Sequence, residues 1–173
     1  MNKNKGFSLV ELVVVIAIMG VLISVLLPTL DTLFSASTRN CATNINSLLA
    51  RCKVYAMGRN DDIVVMIYKG ADGKIWGEYI EGTTPGQIEQ LGDSRVEISV
   101  TPPDAASYSP TKDQPLYVSF NRATGGLCLF GNDRNVVLAP TAGQCALISI
   151  TSAGKPYEIS IYATTGKHGV NLL

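Results

Sequence analysis

GFSLVELVVVIAIMGVLISVLLP, residues 6–28, is apolar from Phe7 to Leu27 except for small Ser and Gly residues and one carboxylate, Glu11. As a helix the twenty-one residues of that run extend about 31 Å, and the hydrocarbon core of a bilayer is about 30 Å thick. Lys3 and Lys5 precede the run, and the first basic residue after it is Arg39. Basic residues flanking a span stay on the cytoplasmic side. The pattern therefore predicts a single-pass segment with its N-terminus inside and the rest of the chain outside. Glu11 is out of place in such a segment. An ionised side chain at the centre of a bilayer costs on the order of 2.5–3.5 kcal/mol on insertion scales, and such groups are usually paired. No basic residue lies between Phe7 and Pro28. A cation at that depth exists only if the chain is cut just before Phe7, which frees an α-amino group. The plainer alternative is a carboxylate one turn into an anchor helix, reaching for the headgroups.

Lys5-Gly6-Phe7-Ser8-Leu9-Val10-Glu11 resembles the processing site of type IV prepilins and type II secretion pseudopilins. The resemblance implies that a membrane peptidase cuts between Gly6 and Phe7 and methylates the new amino group of Phe7. It makes Glu11, fifth from the cut, the residue for filament assembly, accepting charge-assisted bonds from the Phe7 amine of a neighbour. Gly20 and Pro28 fall where the family often has Gly and Pro, and a helix break between them is implied. The implied partners are other pilin or pseudopilin subunits, the prepilin peptidase, the assembly platform, and membrane lipid before assembly. No cofactor is implied. The location is the cytoplasmic (inner) membrane first, then an extracellular or periplasmic filament. A secretory signal peptide competes with this reading. Its apolar core is about 7–15 residues, with a small-x-small cut soon after. Ser35-Ala36-Ser37 imitates such a cut but lies well beyond the end of the run.

After Pro28 the pattern becomes amphipathic. Cys41, Ile45, Leu48, Cys52 and Tyr55 recur at spacings of four, three, four and three, which is one stripe on a helix. Gly58 and Asn60 are stop signals. Pro28 lacks the amide that would bond the carbonyl of Ser24, so a kink or loosening is expected there. Two separate helices joined at Pro28 are the alternative.

The remainder reads as β. Ile63–Tyr68 and Ile75–Ile80 flank the turn residues of 69–74, and Ala146–Thr151 and Tyr157–Ala163 flank Ser152-Ala153-Gly154-Lys155. Between these hairpins, Val96–Val100, Leu116–Asn121, Leu127–Phe130 and Val136–Leu138 read as short strands, and Gly82–Gly92 as loop. The organisation expected is a leader at 1–6, a transmembrane and assembly helix at 7–27, its amphipathic continuation at 28–58, and a β-rich head at 59–173. The class is α+β: a long N-terminal helix laid on an antiparallel sheet, the architecture of the pilin fold. The closing strand and Thr165-Gly166-Lys167 are similar to H-type minor pseudopilins and FimT-type minor pilins.

Lys+Arg and Asp+Glu balance at 14 each. Removing the leader with Lys3 and Lys5 leaves 12 against 14. The head carries no basic run, so no nucleic-acid partner is evident. Cys41 and Cys52 are too far apart along one helix, about 16 Å, to bond each other. Cys128 and Cys145 are candidates to close a loop in an oxidising exterior; helix-to-sheet pairs and four reduced core cysteines are the alternatives. Catalysis has little support. His168 stands in a Gly-rich turn, and no signal places Ser152 or Ser160 beside it. Asp61-Asp62 reads as solvated loop, Asp72-Gly73 lacks the spaced acids of a calcium loop, and no Cys or His pair has zinc spacing, so no metal site is expected. Trp76 and Tyr79 are either packed on the sheet or an exposed aromatic patch. The expected function is a structural subunit, a minor pilin or pseudopilin, of a type IV pilus-like filament or a type II secretion pseudopilus. The alternatives are a signal-anchored binding module that never polymerises and a secreted enzyme released at Ser37.

Overall fold

A computed structural model describes residues 8–59, 62–103, 105–135, 137–139 and 141–173, with the backbone alone for 25–34. Gly6, Phe7, Asn60 and Asp61 lie outside the described residues, and with them the expected cut and methylation sites. The fold is α+β: among the described residues, one helix is followed by nine strands in two antiparallel sheets.

Helix α1, Leu9–Gly58, has 50 residues, about 75 Å at the usual rise. Its first bonded turn starts at Ser8, whose carbonyl accepts from the Leu12 amide at 3.2 Å. It stops where Arg59 turns extended while its amide still bonds the Tyr55 carbonyl at 3.0 Å. Gly20 and Pro28 both lie inside α1, so the isolated chain has one helix here and not two joined at Pro28. A single proline removes one helix bond, and the strong helix formers around it, Leu26, Leu27 and Leu30, carry the backbone through.

The first sheet contains β1 (Ile63–Lys69), β2 (Ile75–Glu81), β3 (Thr84–Gly92), β5 (Leu116–Phe120) and β6 (Leu127–Gly131), in the order β3-β2-β1-β5-β6. The second contains β4 (Glu97–Thr101), β7 (Cys145–Thr151), β8 (Tyr157–Tyr162) and β9 (His168–Leu172), in the order β4-β7-β8-β9. Both expected hairpins are present, as β1–β2 with Ile67 opposite Gly77 and β7–β8 with Ile148 opposite Ile159. Gly73, at φ 77°, closes the first turn in the left-handed region that favours glycine.

Two expectations about the head are corrected. Thr84–Gly92 is strand β3 and not loop. Pro85 hid it, yet a proline is tolerated on an edge strand, and β3 is an edge with register shifts against β2. The short strand expected at Val136–Leu138 starts on Val136, which lies outside the described residues, and residues 137–138 belong to no strand. Leu138 gives one amide bond to the Cys128 carbonyl, 2.8 Å, beside the β6 edge, and no ladder follows among the described residues.

The core lies between α1 and the two sheets. Ile45, Leu48 and Cys52 on the helix, Val65 and Ile67 on β1, and Ile148 and Ile159 on the second sheet have no exposure. Gly166 closes the β8–β9 turn at φ 59°, and a Cβ there would stand 2.1 Å from the Gly125 carbonyl oxygen and 2.9 Å from the Phe120 ring. Backbone strain and overpacking add, so Gly166→Ala is expected to cost about 2–5 kcal/mol. The urea midpoint should fall sharply at unchanged slope; an unmoved midpoint would mean that the turn tolerates a side chain.

Candidate functional site: the helix and its seat in the head

The helix has two surfaces of opposite character. From Leu9 to Ser24 every side chain is exposed, with Leu9 at 79% and Ile16 at 60%. Soluble monomers rarely leave an apolar surface of this extent uncovered, so such a surface marks contact with protein or lipid. Glu11 is the acid in the first turn of α1. It sits favourably against the unbonded amides of the helix start, and among the described residues it has no ion-pair partner. Among the described residues no helix is long and apolar enough to cross a membrane; the part of the apolar run described with side chains, Leu9–Ser24, is shorter than the run read from the sequence.

Higher up, the expected stripe packs on the head. Cys41, Ile45, Leu48 and Cys52 are fully buried, joined by Ala42, Leu49 and Ala56. Tyr55 leaves the stripe: it is 41% exposed and meets Tyr79 edge to face at 5.9 Å, while Ala56 takes the buried place. The reason is drift, because a 3.6-residue repeat rotates away from a spacing of three and four over several turns. Tyr79 packs against α1, its hydroxyl donating to the Leu48 carbonyl at 3.1 Å, and Arg51 lies over its ring at 5.6 Å. Trp76, three residues away in the strand, lies on the other face of β2 and donates to Asp72 at 3.2 Å. The two aromatics therefore do not form one patch.

Where the helix enters the head, polar side chains replace apolar packing. Ser37 donates to Asp93 Oδ2 at 2.7 Å, and Arg95 bonds both Asp93 and Ser37. Thr38 has no exposure, and its hydroxyl meets that of Ser152 at 2.6 Å. Ser35 Oγ accepts from the Lys155 amide at 3.3 Å. Asp93 and Arg95 belong to the β3–β4 connection, and Ser152 and Lys155 to the β7–β8 turn, so the neck is tied to both sheets. The sequence showed Ser35-Ala36-Ser37 only as an imitation cut site. No local signal joins it to residues 56 or more positions away.

Arg95, and then Ser37, hold the Asp93 carboxyl at about 2, below the ordinary 3.8. A carboxyl with a lowered folded-state pKa stabilises the fold while ionised. That contribution is complete above about pH 5 and is lost as pH falls through the folded value. The stability difference between the natural chain and Asp93→Asn should therefore be constant from about pH 5 to 8 and shrink toward zero near pH 2. Thermal melts across that range test this; a difference that grows on acidification would contradict it.

The remaining candidate residues are dispersed. His168 Nδ1 is 2.9 Å from the Gly166 carbonyl, Ser152 faces Thr38, and Ser160 accepts from Asn171 at 3.1 Å. Asp62 lines a cleft of about 360 Å³ with Ala56, Ser119, Arg122 and Cys128. The candidate bridge between Cys128 and Cys145 is corrected: both are free thiols, on β6 of one sheet and at the start of β7 of the other. Cys41 and Cys52 are also free, and burial pushes each thiol up to about 12, the state of inert core residues.

Against known proteins, residues 1–27 match the family model described as the prokaryotic N-terminal methylation motif. This is the prepilin-type signal of type IV pilins and pseudopilins. The prepilin-type signal spans Gly6, Phe7 and Glu11 and ends just before Pro28. Such a signal is the mark of type IV pilin-like proteins that are processed as prepilins. No curated protein and no solved structure matches the chain.

Proposed function

We propose that the protein is a structural subunit of a type IV pilus-like filament or a type II secretion pseudopilus, a minor pilin or pseudopilin. It acts by assembly and not by catalysis. Before assembly the helix rests in the cytoplasmic membrane as a single pass, N-terminus in and head out. The peptidase removes residues 1–6 and methylates Phe7. On extraction, the exposed surface from Leu9 to Ser24 is covered by the same surface of other copies or related subunits. Glu11 then accepts the Phe7 amine of a neighbour, which supplies the cation that the run lacks. The observation that carries this reading is the prepilin-type signal at residues 1–27 joined to an apolar helical surface, Leu9 to Ser24, that is exposed among the described residues. Gly20 and Pro28 sit in continuous helix, and a loosening between them would come with packing in the filament.

Mass spectrometry of the membrane fraction tests this reading. The mature chain should begin at Phe7 and carry one added methyl group. An intact leader with Lys3 would favour an anchored binding module that does not polymerise. A start near Thr38 would favour a released, secreted protein.

A further inference from the structure

Ser35, Ser37 and Thr38 sit within one turn of one another on α1, and their partners come from the β3–β4 connection, which leads from the first sheet to the second, and from the β7–β8 turn of the second sheet. Cys41, one turn further on, is packed directly on Gly92, where an added Cβ would come within 2.7 Å of its sulfur. The two sheets share no strand. A helix held by one of them alone would, when pulled, peel that sheet from the other. We propose that this collar is a clamp: bending or unwinding of α1 stops at Ser35, and load on the lower helix passes into both sheets together through Ser35, Ser37 and Thr38.

The character of the contacts carries the clamp. Apolar packing is non-directional and lets a helix roll or slide, whereas short hydroxyl bonds fix its rotation and height. The Thr38–Ser152 bond is shielded on the helix side, since Thr38 has no exposure, while Ser152 is half-buried. The Ser37–Asp93–Arg95 contact is charge-assisted, and such bonds are roughly twice as strong as neutral ones. The weak part of α1 lies below, where Pro28 leaves the Ser24 carbonyl without its helix amide and the Ser24 hydroxyl bonds back to the Val21 carbonyl at 2.7 Å. The load invoked rests on the assembly proposed above; the clamp itself is measurable in single subunits.

Hydrogen exchange read by mass spectrometry on the full chain in detergent micelles tests the clamp. Ser37→Ala combined with Thr38→Val removes bonds to both sheets. Amides 38–45 should lose about tenfold in protection while those of β1 and β7 keep theirs. Unchanged protection at 38–45 would overturn the clamp. If the double variant loses protection throughout, Asp93→Asn is read in the same way: it leaves the packing in place and should loosen the same amides by about threefold, and no change there overturns the proposal. A mature N-terminus other than Phe7 would remove the assembly reading and leave these exchange results standing.

Discussion

Gly6→Ala leaves the leader on the chain. The mature product beginning at Phe7 should disappear from the membrane fraction, replaced by a species that keeps Lys3 and Lys5. The expectation rests on the prepilin-type signal matched at residues 1–27 and on the chemistry of glycine, which lets another backbone approach where a Cβ would obstruct it. The effect extends beyond the cut. Without a free amine on Phe7 no cation is created, and Glu11 has nothing to pair with inside an apolar contact. Filament incorporation should therefore fall with processing. A normally shortened product would contradict the cut site, whatever happened to filaments.

Glu11→Ala separates processing from assembly. Alanine keeps the helix and removes a charge from the apolar run, so cutting, methylation and membrane insertion should be normal. Incorporation should not. Breaking a buried ion pair by removing one partner costs about 3–5 kcal/mol, because the other charge is left unpaired. The neighbour's Phe7 amine would be that orphan. Incorporation scored in sheared-filament fractions should drop at least about tenfold, since every 1.4 kcal/mol is a factor of ten. Incorporation at the natural level would show that apolar contact alone recruits the subunit.

The legible parts of this chain were those whose signals are local. The stripe at Cys41, Ile45, Leu48 and Cys52 is a periodicity, and each of those residues is buried. The hairpins β1–β2 and β7–β8 announce themselves through turn residues between β-rich runs. Strand β3 was missed because Pro85 and Gly86 look like loop, and only its position at a sheet edge makes them acceptable. Cys128 and Cys145 were candidates because a bond between them would close a loop, but the chain crosses from the first sheet to the second between them and both thiols are free. Tyr55 was placed on the buried stripe by spacing and turned outward by helical drift.

By itself the amino-acid sequence determined the N-terminal signal, the apolar run with its lone carboxylate, the helix that continues from it, and the β character of the head. Each of these depends on residues a few positions apart, where period, charge and cut-site chemistry are written along the chain. Only the tertiary structure decided that the head is two sheets, that all four cysteines are free, and that Ser35, Ser37 and Thr38 meet Lys155, Asp93 and Ser152. Those contacts join residues far apart in the chain, and a hydroxyl's partner is set by what folding brings within 3 Å or so of it, which no local pattern encodes.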